Sequence, residues 1–198
     1  MRSFFIDKKP FNLVYKVLTV VLVVIWSLFA LFGVHRFITI KYLYPLKFSE
    51  QVFYNADYYS LDRALVFSVI KTESSFNERA TSSKGAKGLM QITDKTGEYI
   101  ANLIGKKSFD LYDASTNINF GCYYINRLRE QFLDMETALI AYNAGEGNVR
   151  EWLKNQKYSA DGKTIKEIPF KETKDYIKKI KENFTKYKKL YGNILDKR

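Results

Sequence analysis

One cysteine, one histidine and three prolines in 198 residues close off several kinds of chemistry before any motif is read. A lone Cys122 forms no intramolecular disulfide and no cysteine-based zinc site. The only histidine, His35, lies in the apolar N-terminal segment, so the rest of the chain holds no Ser-His-Asp triad. Catalysis would have to rest on carboxylates, hydroxyls and amides. Ten glycines and three prolines are too few for a low-complexity or disordered chain. Alternating apolar runs are short and broken, and there is no internal repeat, so strands are scarcely expected. Phosphate-binding loops and metal-ligand clusters are also absent, and no cofactor is implied.

Negative charge is the scarcer sign, with 21 Asp and Glu against 32 Lys and Arg, a net of +11. The excess is uneven. From Lys154 to Arg198 there are 14 basic and 6 acidic residues, a net of +8. Such a surface suits an anionic polymer or lipid, and no nucleic-acid motif accompanies it. What the chain does have is 46% hydrophobic residues, 16% of the chain being aromatic, which argues for a packed core. Beyond the N-terminal segment about 150 residues remain, enough to bury roughly two-thirds of the unfolded surface.

Val17 to Val34 is an uncharged run of 18 residues. As a helix it rises about 27 Å, close to the hydrocarbon thickness of a bilayer. A cleaved signal peptide competes with this reading, but the charged leader is long and no Ala-x-Ala site follows. An uncleaved signal anchor is expected. Residues 1–16 then form a cytoplasmic leader, 17–40 a transmembrane helix and 41–59 a juxtamembrane linker, while 60–198 form the main domain. Lys and Arg flank both ends of the span, so charge alone gives only a slight bias in orientation.

The rest of the chain centres on Glu73. Leu65, Val66, Val69 and Ile70 fall at helical spacing over Asp62 to Thr72, with Ser60 or Asp62 as N-cap. Glu73 follows Val69 by four residues and Leu65 by eight, which continues the buried stripe. Desolvation and the negative end of the helix dipole both raise the pKa of a carboxyl placed there. A carboxylic acid still protonated near neutrality is what a general acid requires. The plainer alternative is a glutamate whose stem packs while its head reaches water. Asn77 and the glycines Gly85 and Gly88 then end the regular structure.

Further helices are expected over Thr93 to Leu103, Asn117 to about Phe132 (capped by Asp113 or Thr116) and Glu136 to Ala144, with Gly145 at its end. A short helix begins near Gly147, and a long one runs from Phe170 to Tyr191 with a stripe from Tyr176 to Leu190. Lys154 to Ile168 reads as a polar connection. Cys122 fits a small buried position.

Four ordered segments carry a resemblance. They are Glu73-Ser74-Ser75-Phe76-Asn77, the run from Gly85 to Thr93, Ala141-Tyr142-Asn143-Ala144-Gly145, and Glu172-Thr173-Lys174-Asp175-Tyr176-Ile177. Together they resemble the soluble lytic transglycosylases of goose-lysozyme-like fold, over about Ser49 to Tyr191. The resemblance implies an all-α, lysozyme-like domain acting on peptidoglycan strands, outside the cytoplasmic membrane. It implies cleavage between N-acetylmuramic acid and N-acetylglucosamine with a 1,6-anhydro product, and Glu73 as the acid and base.

Ser82, Leu89, Met90, Gln91, Tyr142, Asn143, Glu172 and Tyr176 match substrate-binding positions of the family. Tyr142 and Tyr176 are alternatively plain core, and Glu172 a cap partner of the last helix. Two departures stand out, Glu78 and Asp94, where the family commonly has proline; they bear on loop rigidity. The rival readings are a lysozyme-type hydrolase with Asp94, Glu98 or Glu172 as second carboxylate, and a non-catalytic glycan-binding anchor.

Overall fold

The computed structural model describes residues 9–197. It divides into two compact units, one ending at Pro45 and the other comprising Leu46–Arg198.

The first unit is one helix, α1 (Lys9–Ile38), continued by a π-helical turn at Thr39–Leu43. It is the one helix among the described residues long and apolar enough to cross a membrane. Its side chains from Leu13 to Ile38 are almost all exposed. The two hydroxyls of the uncharged run satisfy themselves, Thr19 donating to Tyr15 O and Ser27 to Val23 O, each at 2.8 Å. Hydrocarbon imposes that requirement, because it offers polar groups no outside partner. Of the expected leader, residues 1–8 lie outside the described residues, and residues 9–16 belong to α1 rather than to a separate segment.

The second unit holds seven helices and, among the described residues, no strand beyond isolated bridges. They are α2 (Ser49–Tyr58), α3 (Arg63–Ser74), α4 (Asp94–Ile104), α5 (Ala114–Phe132), α6 (Met135–Ala144), α7 (Glu146–Leu153) and α8 (Lys171–Leu195). Four of the starts have a local cause. Asp62, Thr93, Asp113 and Asp134 sit at the N-caps of α3 to α6, and each side chain accepts from a backbone N–H in the first turn. Ser49–Tyr58, read from the sequence as the end of a linker, forms α2. Its Val52, Asn55 and Ala56 are buried, and it packs on α3 and α5. Its polar letters hide the helix because only one narrow stripe is apolar.

The middle of the unit is α3, buried all round from Ala64 to Ile70. The long helix α8 lies along it, with Tyr187 stacked on Phe67 at 5.4 Å between ring centres. The shorter α2 packs on α3 as well, while α5 packs on α2 and α6, and Cys122 of α5 is fully buried. A helix enclosed this way carries its last turn into the interior, which is where Glu73 sits.

Candidate active site

The α3 helix stops at Ser74 because the chain reverses without glycine. Ser75 and Phe76 both have positive φ, 50° and 65°. That conformation is costly for non-glycine residues and persists only where packing imposes it. Phe76 supplies the packing, since its side chain is buried against Phe67. Asn77 Oδ1 then accepts from Arg79 N at 3.0 Å and turns the chain outward. The sequence pointed to Asn77 and then to the glycines for this break, and the reversal comes just ahead of Asn77, at Ser75 and Phe76.

Glu73 is half-buried, with its pKa pushed up to about 7. Burial is the main cause; the nearby Glu172 charge adds to it and the Tyr176 hydroxyl opposes it. Tyr176 is 6% exposed, and its hydroxyl interacts with the Glu73 carboxyl without completing a well-formed hydrogen bond. Tyr142 also feels the Glu73 charge, and its hydroxyl donates to Met90 O at 2.6 Å. Both tyrosines are therefore packed, and both lie close enough to feel the Glu73 charge. Burial and the Glu73 charge hold both phenols in the neutral form.

The remaining candidates fall into two groups. Leu89 and Met90 are fully buried, so their side chains are core while their backbone faces the site. Leu89 O accepts from Ser74 Oγ at 2.8 Å, and Met90 N donates to Asn117 Oδ1 at 2.7 Å. Gln91, at a positive φ of 51°, donates its amide to Gly88 O at 2.9 Å and Ala80 O at 3.3 Å. Ser82 Oγ accepts from Ala86 N at 3.0 Å. Asn143 Oδ1 accepts from Thr173 Oγ1 at 2.8 Å, joining α6 to the first turn of α8. Glu172 is exposed in that turn; it does not cap the helix but pairs with Lys84. Asp94, the first of the proline departures, binds Lys87 through both oxygens at 2.8 Å. That ion pair ties the loop where a proline ring would have stiffened it.

Sequence reasoning missed Asn117. It is fully buried in α5 and spends all its polar atoms on the loop, donating to Lys87 O (2.9 Å) and Leu111 O (2.7 Å) and accepting from Met90 N. A polar residue beside Ile118 on an otherwise apolar stripe was the available signal. Tyr124 was missed too; it packs on Tyr142 at 5.6 Å between ring centres. No group of three or more His, Cys, Asp or Glu among the described residues could hold a metal.

The geometry is thus one half-buried acid between two neutral phenols, under a loop fixed from four sides. The family model described as the transglycosylase SLT domain matches residues 50–165. The chain belongs to this family. The soluble lytic murein transglycosylase of Escherichia coli is 32% identical over 126 residues, 61% of this chain but 20% of that protein. Membrane-bound lytic murein transglycosylase C of Actinobacillus pleuropneumoniae is 30% identical over 157 residues, 65% and 42% of the two chains. Among solved structures, an inactive mutant of the lytic transglycosylase Slt of Pseudomonas aeruginosa superposes with a TM-score of 0.66 at 27% identity. It covers 77% of this chain and 25% of that one. The SLT-family chain therefore spans well under half the length of these relatives.

Proposed function

We propose that the chain is a peptidoglycan lytic transglycosylase, with Glu73 as its acid and base. What carries this is a half-buried carboxyl in the last turn of α3, met by the Tyr176 hydroxyl, where burial pushes its pKa up to about 7 and brings both proton donation and uptake within reach. Glu73 gives its proton to the glycosidic oxygen between N-acetylmuramic acid and N-acetylglucosamine, and the C–O bond breaks. The acetamido carbonyl of the substrate stabilises the cation left at the anomeric carbon. Glu73, now ionised, takes the proton of the muramic 6-hydroxyl, whose oxygen closes on the anomeric carbon as a 1,6-anhydro ring. An intramolecular hydroxyl competes with water through its high effective concentration. Tyr176 and Tyr142 keep water from the carboxyl. Ser82, Gln91 and the backbone of Leu89 and Met90 form one wall of the cleft, with Asn143 and Glu172 opposite. The Pseudomonas relative was solved as an inactive glutamate-to-glutamine mutant, in keeping with an essential glutamate in that enzyme.

A lysozyme-type hydrolase needs a second carboxylate to deprotonate water. Asp94 and Glu172 are each held in an ion pair and largely exposed, and Glu98 is exposed too, which favours the transglycosylase. Sacculi digested with the protein are expected to yield anhydro-muropeptides, one water lighter than lysozyme products and unchanged by borohydride. Products with reducible muramic ends would replace the transglycosylase by the hydrolase. Binding without either product would leave only a glycan anchor.

The substrate lies outside the cytoplasmic membrane, so α1 is proposed as a single-pass anchor with the helical unit on that side. Protease added to wall-stripped cells is expected to degrade the helical unit. Full protection would reverse the topology. The lysines along α8 then face the wall, where anionic polymer is a fitting partner.

A further inference from the structure

The loop between α3 and α4 folds back as a small hairpin beside Glu73. Its base is held on all sides. Ser82 N donates to Ala86 O at 2.9 Å, and the hydroxyls of Thr81 and Tyr112 meet at 2.7 Å. Asn117 and Asp94 hold Lys87 by its carbonyl and its ammonium. The tip from Ser83 to Gly85 is exposed, and from it Lys84 reaches α8. Its Nζ lies 3.0 and 3.2 Å from the two Glu172 oxygens.

The opposite bank is equally fixed. Thr173, 1% exposed, ties the first turn of α8 to Asn143, and one turn later Tyr176 faces the Glu73 carboxyl. Two rigid banks therefore flank Glu73, and Lys84–Glu172 is the one ion pair among the described residues that joins the hairpin to α8. Because the banks are braced elsewhere, this pair adds little to the fold. What it does is link the hairpin tip to α8 one turn before Tyr176, close enough to the carboxyl that the Glu172 charge is felt at Glu73.

We propose, on the strength of the glycan-cleaving function above, that Lys84 is a specificity-determining residue. Its ion pair with Glu172 straps the cleft over Glu73, favouring a strand end threaded beneath over a strand interior laid in from the side. The two side chains are 75% and 71% exposed, so the strap opens readily and is weakened by salt. Exposed pairs of this kind shift an equilibrium by up to about fivefold.

The test uses the full chain in detergent with long, peptide-free glycan strands, scoring the ratio of interior to terminal cuts. Taking the ratio within one substrate cancels any general weakening of binding by salt. Lys84→Ala is expected to raise the ratio by up to about fivefold at low salt and to lose the salt response. Wild type and Lys84→Arg, which both keep the pair, should show a ratio that climbs with salt. An unchanged ratio in Lys84→Ala overturns the strap. So does an equal fall of interior and terminal cutting, which would make Lys84 a plain substrate contact. If wild type cuts no glycan, the proposed function has failed, and the strap is then read from association rates of the same strands. Faster association by Lys84→Ala supports it, and equal rates overturn it.

Discussion

Glu73→Gln is expected to lower glycan cleavage by about 10²–10⁴-fold, the usual effect of deleting a general acid. The same substitution should leave the protein folded and, above neutral pH, more stable than wild type. The sign follows from the raised pKa, about 7 in the folded protein against 4.5 for an ordinary glutamate. Between those values the native state binds more protons than the unfolded chain, so stability falls as pH rises. The penalty is absent below about 4.5 and complete above about 7, amounting to at most roughly 3 kcal/mol. Glutamine keeps the shape and carries no charge to desolvate. Urea unfolding should give similar midpoints for the two proteins near pH 4.5 and a later midpoint for Glu73→Gln at pH 8. Wild-type cleavage should in turn fall about tenfold per pH unit above neutrality, as the acid form is depleted. Near-normal sacculus clearing by Glu73→Gln would remove the assignment. Lost activity with lost stability would make Glu73 a structural residue.

Gly88→Ala is expected to be the most destabilising single change in the loop. Gly88 has φ +74°, and an added Cβ would lie 2.2 Å from Leu111 O and 2.3 Å from Asn117 Nδ2. Both neighbours are fixed, because Asn117 is fully buried and bonds to Leu111 O itself. Strained backbone and forced overpacking together cost about 2–5 kcal/mol. For a unit of this size that lowers the unfolding midpoint by roughly 5–20 °C. Gly85→Ala is the control. It has nearly the same φ, +77°, with nothing within 4 Å of the added carbon. It should cost only about 1–2 kcal/mol, the backbone part alone. Near-UV circular dichroism follows the tyrosine-rich helical unit, whereas α1 remains helical in detergent. Equal losses in the two variants would show that the close approach to Asn117 is unimportant.

How much of this was legible beforehand varied with the kind of interaction involved. Apolar periodicity located α3, α5 and α8, and single residues with a local hydrogen-bonding role marked the starts of α3 and α5, as Asp62 and Asp113 do. Both signals act within a few residues of chain and need no tertiary partner. The uncharged run from Val17 to Val34 is likewise a property of composition. Helix α2 was read as linker because its buried stripe, Val52, Asn55 and Ala56, becomes a stripe only where α3 and α5 pack against it.

At the site, the placement of Glu73 on a buried face followed from its spacing to Val69 and Leu65. Its flanking by Tyr142 and Tyr176 did not, since those residues come from α6 and α8 and meet only when three helices pack. Positive φ at Ser75 and Phe76 was also invisible, because local propensity disfavours it and the burial of Phe76 overrides that preference. Asn117 and Lys84 act across 27 and 88 residues of sequence, on Met90 and Glu172. Such contacts leave no periodic trace in the chain. Sequence alone determined most of the helical segments, though not α2, and which acid continues the apolar stripe of α3; packing decided what surrounds that acid, because burial and charge at Glu73 come from neighbours distant in the chain.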